Sequence, residues 1–539
     1  MPQDTSHPAA AVTSPSQVPG STSPAGDTRR IGSAAALGGA LLAFAATRIY
    51  FCFFFAAAAT DINVYFDYAA QGADFGRTPY LRPAPIPDDE LPSTAEMARR
   101  RYYGNAIERL EYPPTAYWLI WLPRALSPYR LPRDAEGFDL SDLVVEDETI
   151  EDPVSAKKDW KYDTLKATHA EAYGRDFRRL MLAFDVAGFA LFCAILLRRR
   201  PELLIWGMWA FTLSTAFLFY VLFERFDVVM TFTVLAWAYC QLRAGEPGAK
   251  ASLWSAAAYT FLGLGISLKL IPVLLVPFAL LCDFYALLRP PRRWSLLIGP
   301  VLMTIAAVGP FAYYYAIAGD DLMRMFRFHS ERGVQIESSY ATLLMLTKPA
   351  HELQCYFAYG SWNLRGPWAD QILAASTWVV LAALAGLGLR SFIAPAIGER
   401  YDRAACYRMA CAVIPVATLL AKVFSVQYLL WAVPMLLLGL AERTTKLRFV
   451  VGSILTVAAC AFTAYLYPYH YLDSMNPADG RSTLIILQGF EPSGLLVGDL
   501  SSGLPRSVMI LRNVLFGGLC AALYYASMTR VRSQPTSGR

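Results

Sequence analysis

Long apolar runs separated by charged or proline-rich stretches dominate this chain, and their lengths predict helices that cross a bilayer. The first extends from about Gly32 to Ala59, behind Arg29-Arg30. A helix needs about 20 apolar residues to cover a hydrocarbon core of about 30 Å. Further runs lie near 177–197, 202–223, 227–242, 252–268, 270–288, 295–317, 371–390, 404–421, 426–441, 447–467 and 506–528. The pattern predicts an all-α polytopic membrane protein with about 12 transmembrane helices. The first run is roughly twice the length of a signal-peptide apolar region, so it is read as a retained span. Arg48 sits inside it, where a charge costs about 3 kcal/mol unless it faces protein or water or snorkels to the surface.

Basic residues set the orientation. Arg530/Arg532, Arg443/Lys446/Arg448, Arg390 to Arg403, Arg289/Arg292/Arg293, Arg243/Lys250 and Arg198-Arg199-Arg200 alternate correctly only if they lie in the cytoplasm. That parity requires residues 60–176 to begin and end outside. The segment Tyr112–Pro123, about a dozen apolar residues rich in Trp and Tyr and bracketed by prolines, is then an extracytoplasmic juxtamembrane helix in the outer interface. Both termini are expected in the cytoplasm. The external segments are 60–176, 318–370 and 468–505, with short external turns at Glu224–Asp227, Lys269 and Lys422.

By domain, residues 1–30, with Pro2, Pro8, Pro15, Pro19 and Pro24 among Ser, Thr and Ala, form a disordered cytoplasmic tail. Residues 31–530 form the membrane domain, and 531–539 a second cytoplasmic tail. An acidic insertion at 128–176, with Glu146, Asp147, Glu148, Glu151 and Asp152 in one run, reads as a solvated surface loop.

Composition agrees with the pattern: 55% of the 539 residues are hydrophobic and the mean hydropathy is +0.34, which excludes a soluble protein. The net charge of +5 does not indicate nucleic-acid binding, because Lys and Arg sit at the ends of apolar runs rather than in one patch. Most of the nine cysteines fall in apolar runs, with no CxxC and no Cys/His cluster at metal-ligand spacing. No cofactor is called for. A divalent cation gathered by Asp61, Asp67 and Glu224 remains open, since no spacing demands it.

Candidate chemistry collects at the external ends of the spans. Asp61, where the first span meets water, is a candidate general base; ending a helix is its alternative reading. Asp67, six residues on, would be turned well away from it on a continuing helix. Arg324, Arg327, His329 and Arg332 precede Gln335 and Glu337 just outside a span. These external cations break the positive-inside tendency, and a phosphate would justify them. If the piece is helical, the three arginines share an arc of about 140°. Lipid headgroups would justify the same cations. Lys269 and Lys422 are lone external cations and candidates for phosphate contacts. Glu224 and Arg225 read equally as a structural ion pair or as functional groups.

Asp61-Ile62-Asn63-Val64-Tyr65, Glu111-Tyr112-Pro113-Pro114, Arg225-Phe226-Asp227, Lys269-Leu270-Ile271-Pro272, His329 to Ser338 and Lys422 to Trp431 resemble the motif series of glycosyltransferase family 87. The resemblance spans about residues 40 to 440. It implies a GT-C-type fold and a polyprenyl-phosphate-sugar donor, with Asp61 in the place of the catalytic aspartate. Arg324, Arg327, His329, Arg332, Lys269 and Lys422 would hold the donor phosphate. Asp67, Tyr65, Glu111, Tyr112, Glu224, Arg225, Asp227, Gln335, Glu337 and Gln427 would bind sugar or acceptor, or support those that do. The partners implied are that donor, a lipid-linked or glycan acceptor and membrane lipids, at the extracytoplasmic face of the cell membrane. Mannose is the sugar the resemblance points to; arabinofuranose or another pentose stays open. A lipid-glycan transporter or flippase is the alternative class. It predicts charges along a central cavity and a repeat architecture, whereas the polar candidates here sit at the outer ends of spans.

Overall fold

The computed structural model describes residues 25–55, 60–75, 78–80, 112–128, 161–248, 250–288, 294–359, 361–470, 495–499 and 504–529. In chain order its helices begin with α1 (Ala25–Ile49), α2 (Thr60–Phe75), α3 (Pro114–Leu126), α4 (Lys161–Arg199), α5 (Leu204–Phe217), α6 (Phe219–Leu222) and α7 (Asp227–Ala244). They continue as α8 (Ala251–Leu268), α9 (Val276–Leu287), α10 (Ile298–Ala318), α11 (Arg324–Ser330) and α12 (Ser339–Thr347). The last are α13 (Ala369–Ile393), α14 (Arg403–Leu420), α15 (Tyr428–Arg443), α16 (Lys446–Ala464) and α17 (Leu504–Met528).

Within the described residues, each apolar run expected to cross the membrane is mainly helical. Among the described residues, eight helical segments are long and apolar enough to span: Ala34–Phe54, Ala167–Arg199, Ala251–Leu268, Ile298–Arg327, Ala369–Ile393, Arg403–Leu420, Lys446–Tyr467 and Leu504–Met528. The other expected spans, 202–223, 227–242, 270–288 and 426–441, form shorter or more polar helices. Of these, α7 and α15 are buried along almost their whole length, against each other and against α4, α5, α8, α14, α16 and α17. Shielded by neighbours, they need less apolar surface than a helix that meets lipid. By contrast α10 and α13 leave Ile305 62% and Trp378 72% exposed. Such exposed apolar faces belong in hydrocarbon.

A buried ion pair stitches the bundle together. Arg48, 1% exposed, lies 2.8 Å from Asp185 of α4 and stacks 4.3 Å over the Phe44 ring. It faces protein rather than snorkelling.

Four expectations need correction. The first helical run ends at Phe54, and a new helix begins at Thr60, so Asp61 opens α2 instead of closing the first span. Helix α1 starts at Ala25, inside the stretch read as tail. Helix α4 starts at Lys161, so the end of the 128–176 insertion is helical and runs straight into the span; the acidic run 146–152 lies outside the described residues. A sheet is present where only helices were expected: β1 (Val334–Gln335), β2 (Gln354–Ala358), β3 (Ser361–Arg365) and β4 (Leu495–Asp499), antiparallel in the order β1-β3-β2-β4. Its strands are short and alternate poorly, which hid them beside the helical runs. Tyr359, at φ 51°, turns the β2–β3 hairpin.

The Tyr-Pro-Pro segment opens a short helix. Pro113 and Pro114 start α3, and its 13 residues, about 20 Å, are too short to span. It packs on α2 and reaches α4, α8 and α10.

Candidate active site

The beginnings of α2, α7 and α15, the ends of α8 and α14 and the β1 segment meet at one end of the bundle. Asp61 is in the first turn of α2, where the helix dipole favours a carboxylate. Its Oδ2 lies 2.6 Å from Arg225 Nη2, and both side chains keep about a fifth to a quarter of their surface exposed (25% and 21%). Arg225 comes from the turn between α6 and α7. The neighbouring Glu224 does not pair with it, so of the two readings left open for Glu224 and Arg225 the mutual ion pair does not hold. Adjacent side chains of the turn diverge, and Glu224 instead accepts from Arg178 Nε of α4 at 2.7 Å. Burial raises the pKa of Glu224; Arg178 opposes the shift and Asp61 reinforces it.

Aromatic side chains carry this carboxylate cluster. Tyr65, one turn after Asp61, packs its ring 5.5 Å from Tyr112 and 5.8 Å from Phe226, and Tyr112 and Phe226 lie 5.1 Å apart. Tyr80 donates its hydroxyl to the Tyr112 carbonyl at 2.9 Å. Asp67 is buried, about 240° around α2 from Asp61. Glu111 lies outside the described residues.

Lys269, read as a lone cation, has a partner. Its Nζ is 2.6 Å from Asp227 Oδ1, which also accepts from Trp431 Nε1 at 2.7 Å. The ammonium sits 4.7 Å from the Trp431 ring centroid and 5.0 Å from that of Phe226. Asp227, on the first turn of α7, was invisible as its partner because 42 residues separate the two.

The 324–337 segment divides where α11 ends. Arg324 turns back to Asp321 at 2.6 Å, while Arg327 and His329 are exposed. The helix stops at Ser330, so Arg332 is not on the predicted arc but buried in the extended stretch that follows. Lys422, at the end of α14, donates to the Ser330 carbonyl at 2.8 Å. Burial lowers its pKa, and the nearby charge of Arg332 lowers it further. Two cations brought together in this way favour an anion between them. The Gln335 amide donates to the Lys422 carbonyl at 3.1 Å, and its side chain meets Ser425 at 3.2 Å. Gln427 is buried just before α15. Glu337 is held by Arg512 of α17, Nη1 at 3.2 Å to its carboxylate and Nη2 at 2.7 Å to its carbonyl. Burial raises the pKa of Glu337 against the pull of Arg512 and, more weakly, of Arg225. The charge of Arg225 is thus felt at Glu337 as well as at Asp61.

Among the described residues no group of three or more His, Cys, Asp or Glu side chains is placed to hold a metal ion. No protein-family model matches the chain, and no curated protein does. A solved structure, ArnT from Cupriavidus metallidurans bound to undecaprenyl phosphate, superposes with a TM-score of 0.40 and 14% identity over 92% of this chain and 77% of that one. A likeness at that level transfers neither fold nor chemistry, so the site is argued from its own residues.

Sequence reasoning missed Arg178, Trp431 and Arg512. Arg175, Arg178 and Arg179 break the positive-inside tendency just as the 324–332 cations do, and that signal would have found Arg178. Arg512 was signalled by lying inside an apolar run. Trp431 closes the Lys422 to Trp431 motif, but nothing in the sequence gave it a role.

Proposed function

We propose that this protein is a GT-C-type membrane glycosyltransferase. It moves a sugar, with mannose the first candidate, from a polyprenyl-phosphate donor to a hydroxyl of a lipid-linked or glycan acceptor on the extracytoplasmic face. The observation that carries this reading is the gathering, at one end of a bundle of apolar helices, of the Asp61–Arg225 pair and of Lys422, which sits on the Ser330 carbonyl two residues before the buried Arg332. A membrane enzyme using a lipid phosphate needs a base and a phosphate clamp at the same depth.

In the reaction, the acceptor oxygen attacks the anomeric carbon as its proton passes to the Asp61 carboxylate. The carbon–oxygen bond to the phosphate breaks on the opposite side, and its electron pair leaves with the phosphate oxygen. Configuration inverts. Arg332 and Lys422 would take the growing phosphate charge, with Arg327 and His329 at the exposed margin. Lys269, neutralised by Asp227, would instead hold the start of α7, and with it Arg225, in register.

The test is transfer from synthetic polyprenyl-phosphate mannose to a total lipid extract, with wild type and Asp61→Asn at equal membrane levels. Transfer by wild type alone supports the reading. Equal transfer in both removes Asp61 from the chemistry. No transfer by wild type from mannose, arabinofuranose or other polyprenyl-phosphate sugars overturns it.

A further inference from the structure

At the end of the bundle away from Asp61, most buried arginines are matched with acids. Arg198 meets Glu246 at 2.6 Å, Arg199 grips both oxygens of Glu442 at 2.7 Å, and Arg403 meets Asp283. The cavity of about 510 Å³ lined by Arg198, Arg199 and Arg403 therefore carries no excess of positive charge.

One corner of that end breaks the pattern. Helix α17 packs there against α13, α14 and α15, which supply Arg390, Arg408 and Arg443. Arg443 donates to the Ala526 carbonyl of α17, and Arg390 Nε donates to the Met528 carbonyl, two residues on, at 3.1 Å. Carbonyls orient the two guanidinium groups but supply no counter-charge. Arg390 has one in Glu399, at 2.5 Å. Arg443 has none among the described residues: the adjacent Glu442 is committed to Arg199, and Arg443 Nε is buried without a partner. Arg408, half-buried on α14, makes no hydrogen bond or ion pair among the described residues. Burial lowers the pKa of Arg443 to about 10, and the charges of Arg408 and Arg390 add to the fall. Residues 530–539, which follow α17 in the chain, contain no acid. Crowded cations with so little compensation call for an anion from outside the chain.

The rim of the corner is apolar. Leu389 and Phe392, on either side of Arg390, and Tyr525, next to Ala526, are well exposed, as surfaces that meet hydrocarbon are. Cations between such faces at the helix ends stand at the depth of lipid headgroups. We infer that this corner binds an anionic phospholipid of the leaflet at that end, its phosphate between Arg408 and Arg443 and its acyl chains along the outer faces of α13 and α17. A zwitterionic lipid would bring its own cation beside Arg408. A soluble phosphate would meet the same arginines but gain nothing from the apolar rim. The site lies at the opposite end from Asp61 and does not depend on the transferase reading.

For the test, full-length protein freed of lipid in detergent is titrated with dioleoyl phosphatidylglycerol, dioleoyl phosphatidylcholine or inorganic phosphate. Native mass spectrometry counts the bound molecules, and the rise in Tm reports occupancy. Phosphatidylglycerol is expected to bind saturably and about 5-fold or more tightly than phosphatidylcholine. Arg408→Gln removes a cation that holds nothing else in the protein, so it should fold as wild type does and weaken phosphatidylglycerol about 5-fold. Arg408→Lys should keep most of the affinity. Arg198→Gln removes a charge from the same end but outside the corner, and should leave it unchanged. No saturable binding, equal affinity for the two lipids, unaltered affinity in Arg408→Gln, or an equal loss in Arg408→Gln and Arg198→Gln overturns the site. Inorganic phosphate that displaces phosphatidylglycerol at comparable concentration, with the same dependence on Arg408, overturns the lipid assignment and leaves a soluble-anion site.

Discussion

Asp61 pairs with Arg225 and sits in the first turn of a helix. Replacing it with Asn removes the proton acceptor but keeps the shape. Transfer should fall by about 10²- to 10⁴-fold, while the variant inserts and elutes from size exclusion as wild type does. Lys422 gives a second prediction at this scale. Its pKa is lowered by burial and by Arg332, so it loses its charge at a lower pH than an ordinary lysine as the medium becomes alkaline. If it clamps the phosphate, KM for the donor should rise with pH on the alkaline side. In Arg332→Gln one cause of the lowering is gone, so the rise should move to higher pH even though donor affinity is weaker throughout. A donor KM profile measured for both proteins checks the sign. Asp61, Lys269, Lys422 and the 324–332 cations stood out in the sequence because each is a polar group at the edge of an apolar run. Their partners were not, because pairs such as Lys269–Asp227 and Glu337–Arg512 join residues far apart in the chain.

Helices α8 and α10 show how the elements that carry those residues are fixed. They cross so closely at Gly263 that a methyl group there would lie 2.4 Å from the Met303 carbonyl oxygen and 2.9 Å from the Ala306 side chain. The obstructing atom is backbone and cannot swing away. Gly263→Ala should therefore destabilise the protein by about 1–3 kcal/mol, read as a lower Tm in detergent, although alanine is the better helix former. Gly333 contrasts with it: the obstruction there is the far end of the Tyr356 side chain, which can move. Helix positions were legible because the apolar runs are long. The short sheet was not, since two- to five-residue strands carry too few alternations to stand out and are made by pairing. Nor did the sequence disclose that Asp61 lies in the first turn of a helix, because the apolar run continues in the sequence up to Ala59.

At the scale of the whole molecule, the ends of the helices separate into two sets. The site groups lie at one end, while Arg199 with Glu442, Arg390 with Glu399 and Arg403 with Asp283 lie at the other. The charge rule assigns the second set to the cytoplasm. In intact cells a membrane-impermeant thiol reagent should label Ser330→Cys and spare Lys446→Cys, both exposed positions; the reverse result inverts the topology. Between the two ends, Arg48–Asp185 is a buried charge pair, and Asp185→Ala should cost about 3–5 kcal/mol by leaving Arg48 unpaired, a loss that Arg48→Met should partly restore. By itself the sequence determined that the protein is a helical membrane bundle with basic residues gathered at the ends of its apolar runs, because those properties depend on run length and on charge at run ends. Tertiary structure alone decided which carboxylate meets which cation, and that Glu224 turns to Arg178 and Arg225 to Asp61. Side-chain pairing depends on which helices touch, and one-dimensional periodicity does not encode that.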